Sequence, residues 1–267
     1  MGRRLGQHFL SDPAILDRIV DAINPQPDDV VLEIGPGRGT LTARLAPRVG
    51  QVVAIEKDEA LASAAVTFPN VRVVQGDALE VDWWDLIRNA STEHRAPRTA
   101  KVIGNIPYYI TSPLIEKALT PPLPSVVVML IQREVAERLA ASPGSKTYGA
   151  LTVGVQAVAQ VERLFTVRAG AFSPPPKVDS AVVRLTPLAE PMISPAEHRA
   201  FREFNAALFS QRRKQIGRSL RSVWGTEKER VASRLGDLGI DPTSRAEVLA
   251  PDKLVTLFRS GRSLTET

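Results

Sequence analysis

The stretch Val30–Leu41 reads VVLEIGPGRGTL: an apolar run, a turn with three glycines, and the start of a helix predicted to continue through Leu45. The apolar run is typical of a buried β-strand, and glycines in such a turn permit positive φ angles and close approach of the backbone to a ligand. A second apolar run, Val52–Glu56, ends in an acid about 20 residues further on, where it is placed to bind ribose hydroxyls. This succession predicts an α/β fold with a nucleoside-cofactor site.

The spacing of the glycines distinguishes two classes of nucleoside cofactor. A nicotinamide dinucleotide site uses the pattern Gly-x-Gly-x-x-Gly and holds a pyrophosphate at the N-terminus of the helix. Here Gly35, Gly37 and Gly39 recur at every second position, with Pro36 inside the turn. The third glycine therefore falls one place early for a dinucleotide site.

A third apolar run, Val71–Gln75, is followed by Gly76 and Asp77, which places a second acid at the end of a strand. Its carboxylate would repel a pyrophosphate but suits the amine of an adenine. Together with Glu56 and the glycine turn, it favours S-adenosylmethionine, a cationic sulfonium that carries adenosine and no phosphate. A simpler interpretation, in which Asp77 caps a following helix, is compatible with adenine binding.

The stretch Asn105–Tyr109 (NIPYY) follows a further apolar run, Lys101–Gly104, that is typical of a buried strand. Pro107 has no N–H group to donate to a sheet, so the strand is predicted to end there. An amide side chain, free backbone carbonyls and two aromatic rings then lie at the carboxyl end of a strand, where α/β folds bind ligands. These groups suit a flat base with an exocyclic amine, but a proline turn with two packed tyrosines explains the stretch equally well.

Composition and charge narrow the class of protein. The chain has 267 residues, of which 43% are hydrophobic and 24% are charged, as in globular proteins with one large and one small domain. Its net charge of +5 suits a polyanionic partner. It has no Cys and three scattered His, which argues against disulfides, a Cys nucleophile and structural zinc. The polar N-terminus and the lack of an apolar run of membrane-spanning length predict a soluble cytoplasmic protein.

The N-terminal segment Arg3–Leu10 allows two interpretations. It is short and basic enough to be a frayed tail. However, Phe9 and Leu10 are apolar enough to be pinned against the protein, as a flap on a pocket.

A domain boundary is predicted near Pro187–Pro195, where prolines and acids interrupt the pattern. Residues 1–187 alternate between strands and helices, whereas residues 188–267 are helical in character. The predicted architecture is therefore an α/β domain followed by a small helical domain.

In the C-terminal domain, the spacing of apolar residues predicts one helix over Ala200–Val223. At about 100° per residue, Lys214, Arg218 and Arg221 share its solvent face and form a basic stripe suited to phosphates. Such stripes are usually only solvated surface, although the basic balance of the chain suits a polyanionic partner. Arg212 falls near the apolar face, so we predict that it is partly buried and ion-paired, with the α/β domain as a candidate partner.

Several short motifs follow one another along the chain: Gly6–Leu10 (GQHFL), Glu33–Gly37 (EIGPG), Glu56, Gly76–Ala78 (GDA), Asn105–Tyr108 (NIPY), Phe172–Ser180 (FSPPPKVDS) and Phe209–Lys214 (FSQRRK). Their order resembles that of the ribosomal RNA adenine N6-dimethyltransferases. The last two indicate the housekeeping small-subunit (KsgA-type) branch, whereas the erythromycin-resistance methylases of large-subunit rRNA share the earlier ones. The resemblance covers nearly the whole chain, and one departure from it is His8, where the family more often has Asn.

This resemblance implies a class I, Rossmann-like methyltransferase with a seven-stranded, mostly parallel sheet and a small C-terminal helical domain. It implies N6-dimethylation of adenines in a hairpin loop near the 3′ end of small-subunit (16S) rRNA during ribosome biogenesis. S-Adenosylmethionine would be the methyl donor, and no metal would be needed. The partner would be small-subunit rRNA or an immature 30S particle, bound by a monomer.

The resemblance also assigns site residues. The cofactor site would be lined by His8, Leu10, Gly35, Glu56, Asp77 and Asn105. The target adenine would be bound by Asn105, Ile106, Pro107, Tyr108 and Phe172. RNA would be bound by Arg212, Arg213, Lys214, Arg218 and Arg221. Without the resemblance, Phe172 is equally well explained as a core residue beside a proline-rich loop, and Tyr109 is assigned to packing.

Two alternatives differ in function. One is a non-catalytic ribosome-assembly or transcription factor that retains the methyltransferase fold, against which the intact Asn105–Tyr108 motif argues. The other is an erythromycin-resistance-type methylase of 23S rRNA.

Overall fold

A computed structural model describes residues 8–64, 68–90 and 100–265, with side chains as far as Gly261. Residues Gly6 and Gln7 of the first motif lie outside this description. The strands are β1 (Phe9–Leu10), β2 (Val30–Ile34), β3 (Gln51–Glu56), β4 (Val71–Gln75), β5 (Ala100–Asn105), β6 (Val126–Gln132), β7 (Ala159–Val167), β8 (Phe172–Ser173) and β9 (Ser180–Pro187). The helices are α1 (Pro13–Ala22), α2 (Thr42–Leu45), α3 (Glu59–Ser63), α4 (Trp83–Arg88), α5 (Thr111–Ala118), α6 (Arg133–Leu139), α7 (Ala150–Gln156), α8 (His198–Ser210), α9 (Ile216–Trp224), α10 (Lys228–Asp237) and α11 (Pro251–Thr265). Among these, no helix has both the length and the apolar character that crossing a membrane requires.

Within the described residues, seven strands form one sheet in the order β4-β3-β2-β5-β6-β9-β7, which confirms the predicted fold class. The pairs β2–β3, β2–β5, β3–β4 and β5–β6 are parallel, whereas β9 runs antiparallel to β6. Every residue of β2 is buried. Strands covered on both faces read as continuous apolar runs, and this is why the sequence shows them so clearly.

The direction in which the chain fills the sheet reverses between β2 and β5. From β2 the chain proceeds outward to β3 and β4, and from β5 it proceeds outward to β6 on the other side. Ligands of open α/β sheets bind in the crevice that such a reversal leaves at the carboxyl ends of the strands. Here the two strands approach closely: Ile34 pairs with Gly104, and a Cβ atom on Gly104 would lie only 2.6 Å from the carbonyl oxygen of Ile34.

A two-stranded antiparallel sheet joins the N-terminal segment to a loop late in the chain. Strands β1 and β8 pair Phe9 with Ser173 and Leu10 with Phe172. Leu10 and Phe172 are both buried in the hydrophobic core. We name this feature the β1–β8 ribbon; it shows that Phe9 and Leu10 are pinned to the protein.

By their internal contacts the residues group into two compact units. The sheet unit comprises Met1–Ala136 and Val161–Pro187, and the helical unit comprises Glu137–Gln160 and Leu188–Thr267. The segment Glu137–Gln160, which the sequence assigns to the α/β domain, thus groups with the C-terminal helices. Within it, the buried Tyr148 donates to the carbonyl of Leu249 over 2.8 Å and packs edge-on against Phe209.

The prediction of a single helix over Ala200–Val223 is wrong. Helix α8 ends at Ser210, a turn follows, and α9 starts at Ile216. The first two N–H groups of α9 donate to the carbonyls of Ser244 and Pro242. Hydrogen bonds to this neighbouring loop replace those that a continuous helix would form, so tertiary contacts override the helical spacing of the sequence.

Candidate active site

Glu56 ends strand β3 with its carboxylate fixed by two backbone N–H groups. Gly37 donates to Oε2 over 3.0 Å, and Asp58 donates to Oε1 over 2.9 Å. Gly37 reaches this position with a φ angle of +57°, a conformation that favours glycine. Each carboxylate oxygen has lone pairs for a second donor, so Glu56 can accept further hydrogen bonds at both oxygens.

Asn105 ends strand β5 beside the glycine turn. Its side-chain nitrogen donates to the backbone carbonyl of His8 over 3.0 Å. A Cβ atom on Gly35, whose φ angle is +67°, would lie 3.7 Å from the backbone oxygen of Asn105. The next residue, Ile106, donates its N–H to the carbonyl of Leu130 over 3.1 Å, which holds the turn against β6.

Tyr108 and His8 connect this turn to the loop that carries Phe172. The Tyr108 hydroxyl forms a hydrogen bond of 2.8 Å with the hydroxyl of Ser180, and the Tyr108 and His8 rings lie 6.0 Å apart. Nδ1 of His8 donates to the carbonyl of Pro174 over 2.8 Å. The Asn105–Tyr108 stretch is therefore bonded both to His8, which precedes β1, and to Ser180, which begins β9.

One cavity in the sheet unit collects almost all of the residues that the sequence assigns to the cofactor and to the target base. They are His8, Leu10, Gly35, Glu56, Asn105, Ile106, Pro107, Tyr108 and Phe172. Leu16, Ile19 and Leu130 add apolar lining. Among the described residues, no group of three or more His, Cys, Asp or Glu side chains is arranged to hold a metal ion.

Asp77 is the assigned residue that the structure places outside this cavity lining. Its Oδ2 is ion-paired with Nζ of Lys57 over 2.6 Å, and its Oδ1 accepts from the N–H of Leu79 over 2.9 Å. The hydrogen bond from Lys57 is the main reason that the pKa of this carboxyl is lowered, and the bond from Leu79 adds to it. Asp77 therefore accepts from the start of a turn and not from a helix, so the helix-cap interpretation is wrong, while its contact with an adenine amine stays a prediction.

Glu33 also lines the cavity, although the sequence suggested no role for it. It is 1% exposed and accepts from the Thr42 hydroxyl over 2.7 Å. Burial raises the pKa of this carboxyl to about 7; the bond from Thr42 opposes the rise and the nearby Glu56 adds to it. The signal in the sequence is a lone acid inside an apolar strand, where an ionisable side chain is rare.

In the helical unit, Lys214, Arg218 and Arg221 surround an open cavity. We name these three residues the basic cluster; all are exposed. Thr226 and Glu227, which precede helix α10, also line this cavity. Although the predicted helix is broken, the turn keeps Lys214 beside the two arginines of α9, so three cations face one concave surface.

Arg212 is partly buried and ion-paired, as the sequence predicts. Its Nε pairs with Glu247, and Nη2 donates to the carbonyl of Ser145 over 3.2 Å. Both partners belong to the helical unit. Arg213, by contrast, is exposed, so these two adjacent arginines differ in what they contact.

Comparison with known proteins gives consistent matches along the chain. The sequence profile of a family described as ribosomal RNA adenine dimethylase matches residues 2–261. A curated relative from Geobacter metallireducens, ribosomal RNA small subunit methyltransferase A, is 40% identical over 268 residues, which cover 98% of this chain and 96% of the relative.

Two solved structures have a similar fold. A dimethyladenosine transferase from Plasmodium falciparum superposes with a TM-score of 0.83 at 27% identity, over 96% of this chain and 98% of its own. The 23S rRNA methyltransferase ErmE superposes with a TM-score of 0.69 at 30% identity, over 94% of this chain and 98% of its own. In both cases the similarity spans nearly the whole of each chain.

Proposed function

Because this chain belongs to the ribosomal RNA adenine dimethylase family, we propose that it uses S-adenosylmethionine to dimethylate N6 of adenines in small-subunit rRNA. The proposed target is a hairpin loop near the 3′ end of 16S rRNA, reached during assembly of the small subunit in the cytoplasm by a monomeric enzyme. The observation that carries the proposal is the position of Asn105, oriented by His8 in the cavity that Glu56 and Phe172 also line.

The cavity fits an adenosine-bearing cofactor. S-Adenosylmethionine, when bound, supplies a methyl group on a cationic sulfur. Glu56 would bind the ribose hydroxyls, since both of its oxygens are fixed and can each accept a further donor. Gly35 leaves open the space that a Cβ atom would fill beside Asn105, and His8 and Leu10 line the same cavity. Asp77 would accept from the adenine amine while keeping its bonds to Lys57 and Leu79.

Asn105 and Ile106 would activate the target nitrogen. Adenine N6 is a weak nucleophile because its lone pair is delocalised into the ring. In the first transfer, hydrogen bonds from the two N–H groups of N6 to Oδ1 of Asn105 and to the carbonyl of Ile106 would make the nitrogen pyramidal and localise its lone pair. A C–N bond then forms as the S–C bond of the donor breaks, and the positively charged N6 releases a proton to water. Positioning and pre-aimed dipoles supply the catalysis, so no strong base is needed.

Tyr108 and Phe172 would hold the base between two aromatic rings. A paired base cannot reach such a cavity, so the adenine must be flipped or already unpaired, at a cost of a few kcal/mol. The hydrogen bonds of Tyr108 to Ser180 and of His8 to Pro174 support the two sides of this sandwich.

The basic cluster and Arg213 would bind the phosphates of the RNA, because they present exposed cations on the helical unit. Arg212 would contribute differently: its bonds to Glu247 and Ser145 anchor the turn that carries Lys214.

A transfer assay tests the proposal. The protein is incubated with tritiated S-adenosylmethionine and either immature small subunits, purified 16S rRNA or 23S rRNA, and the methylated adenines are mapped by mass spectrometry. We expect label on dimethyladenosine in a 3′-terminal hairpin loop of 16S rRNA. Label on 23S rRNA instead would indicate the erythromycin-resistance type of enzyme. Binding to small subunits without any transfer would indicate an assembly factor.

A further inference from the structure

Tyr109, assigned to packing from the sequence, is exposed to 63%, more than any other large apolar side chain among the described residues. It directly follows Tyr108 in a short 3₁₀ turn, in which Ile110 donates its N–H to the carbonyl of Pro107 over 3.1 Å. Pro107 and Tyr108 both line the active-site cavity. The Tyr109 ring is therefore exposed to solvent, while the two residues directly before it line the cavity.

An exposed cation, Lys57, directly follows strand β3 and is ion-paired with Asp77 over 2.6 Å. The pKa of the Lys57 ammonium is raised, chiefly by its hydrogen bond to Asp77 and also by the nearby Tyr109 and Glu80. Lys57 is itself 54% exposed. Exposed aromatic rings and exposed cations are the groups on which single-stranded nucleic acids are bound, the rings stacking on bases and the cations facing the backbone.

We propose that Tyr109 stacks on the nucleobase that flanks the target adenine in the RNA. When the adenine enters the cavity, its neighbour in the strand loses a stacking partner. Tyr109 would replace that partner, because it is exposed and directly follows Tyr108, which we propose contacts the target base. This inference rests on the proposed function, since it requires an RNA substrate with an adenine in the cavity.

The test crosses a protein variant with an RNA variant. Wild type and Tyr109→Ala are each assayed on a hairpin substrate that is either intact or abasic at one of the two nucleotides next to the target adenine. We expect Tyr109→Ala to raise KM for the RNA on the order of tenfold, the scale of one base–aromatic stack, with little change in kcat. At one of the two flanking positions, removing the base should raise the KM of wild type on the order of tenfold as well. The same removal should not raise the KM of Tyr109→Ala any further. Tyr109→Phe should restore most of the loss and Tyr109→Leu should not.

Two measurements separate stacking from other effects. S-Adenosylmethionine affinity, measured by calorimetry, should be the same in Tyr109→Ala and wild type. Val248→Ala, at another exposed apolar residue but in the helical unit, serves as the matched control and should leave KM unchanged. A KM for Tyr109→Ala within twofold of wild type, or an abasic penalty of equal size in both proteins, would overturn the proposal.

A binding readout distinguishes failure of this inference from failure of the proposed function. The flanking base is replaced by 2-aminopurine, whose fluorescence is quenched on stacking, and the RNA is titrated without methyl transfer. Quenching by wild type and none by Tyr109→Ala supports the stack even if no methyl group is transferred. Equal quenching by both proteins counts against it even if transfer is normal.

Discussion

The side-chain nitrogen of Asn105 donates a hydrogen bond of 3.0 Å to the backbone carbonyl of His8. A flipped amide would place two oxygens against each other, so this bond fixes which end of the amide is the donor. Oδ1 is thereby the end that serves as an acceptor within the cavity. The N-terminal segment thus orients the group that we propose to accept a hydrogen of the target amine.

Replacing Asn105 separates chemistry from cofactor binding. We expect Asn105→Ala to lower single-turnover methyl transfer by roughly 100-fold or more, the usual loss when one pre-aimed polar group is removed. S-Adenosylmethionine affinity should fall only modestly, because Glu56 and the glycine turn are unchanged. Asn89→Ala, at an exposed amide that bonds to Asp85, is the control. Retained rRNA methylation in Asn105→Ala would refute the role given to this side chain.

The buried Glu33 should make stability depend on pH. Its pKa is raised from 4.5 to about 7, so between these values the folded protein keeps a proton that the unfolded chain releases. The free energy of unfolding should therefore fall as pH rises through this window and level off above it. Glu33→Gln retains an acceptor for Thr42 but cannot ionise, and we expect it to be more stable than wild type at pH 8 by up to roughly 3 kcal/mol.

Urea unfolding at pH 5 and pH 8 measures this difference. The two proteins should differ less at pH 5, where the Glu33 carboxyl is protonated in the folded state. Glu229→Gln, at an exposed acid on α10, should follow wild type at both pH values. Parallel pH profiles for Glu33→Gln and wild type would show that this carboxyl titrates normally.

Replacing glycine by alanine should have opposite effects on stability at Gly104 and at Gly154, because only Gly104 lies where β2 and β5 approach closely. In Gly104→Ala the added methyl group would meet the Ile34 carbonyl oxygen at 2.6 Å and Cδ1 of Ile106 at 2.9 Å. The strands must separate, and we expect a loss of roughly 3 kcal/mol in the free energy of unfolding. In Gly154→Ala, within helix α7, nothing lies within 4 Å of the new methyl group, so we expect a gain of about 0.5–1 kcal/mol. Chemical denaturation of both variants measures the contrast, and equal stabilities would contradict it.

Charge reversal tests the basic cluster. We expect Lys214→Glu, Arg218→Glu and Arg221→Glu each to weaken RNA binding, and the triple variant to do so most. The slope of log affinity against log salt should become shallower by roughly 0.7–0.9 for each lost phosphate contact. Lys253→Glu, at an exposed site on α11, changes net charge equally and should have a much smaller effect. Filter binding over a salt series gives both quantities, and an equal effect of Lys253→Glu would mean that only net charge matters.

Those parts of the fold that are buried on both faces were predictable from the sequence. Strands β2, β3, β5 and β6 appear as apolar runs because covered strands need apolar side chains on both faces. The glycine turn and the Asn105 motif were also predictable from the sequence, since each needs particular residue types at the end of a strand.

Features that depend on distant contacts were not predictable. Strands β1 and β8 have two residues each, too few to show a period, so only their pairing reveals them. The ion pair of Asp77 with Lys57 joins two strand ends whose separation the sequence does not specify. The helix break before Ile216 follows from hydrogen bonds to the Ser244 loop. The spacing of apolar residues along the sequence does not reveal such bonds.

The β1–β8 ribbon has a consequence for synthesis of the chain. His8 bonds to Pro174, a residue 166 positions later, and Leu10 pairs with Phe172. During translation the cavity therefore stays incomplete until both ends of the sheet unit have left the ribosome. A nascent chain that has made the whole glycine turn and the Asn105 motif still lacks Phe172, so the lining of the cavity is completed late in synthesis.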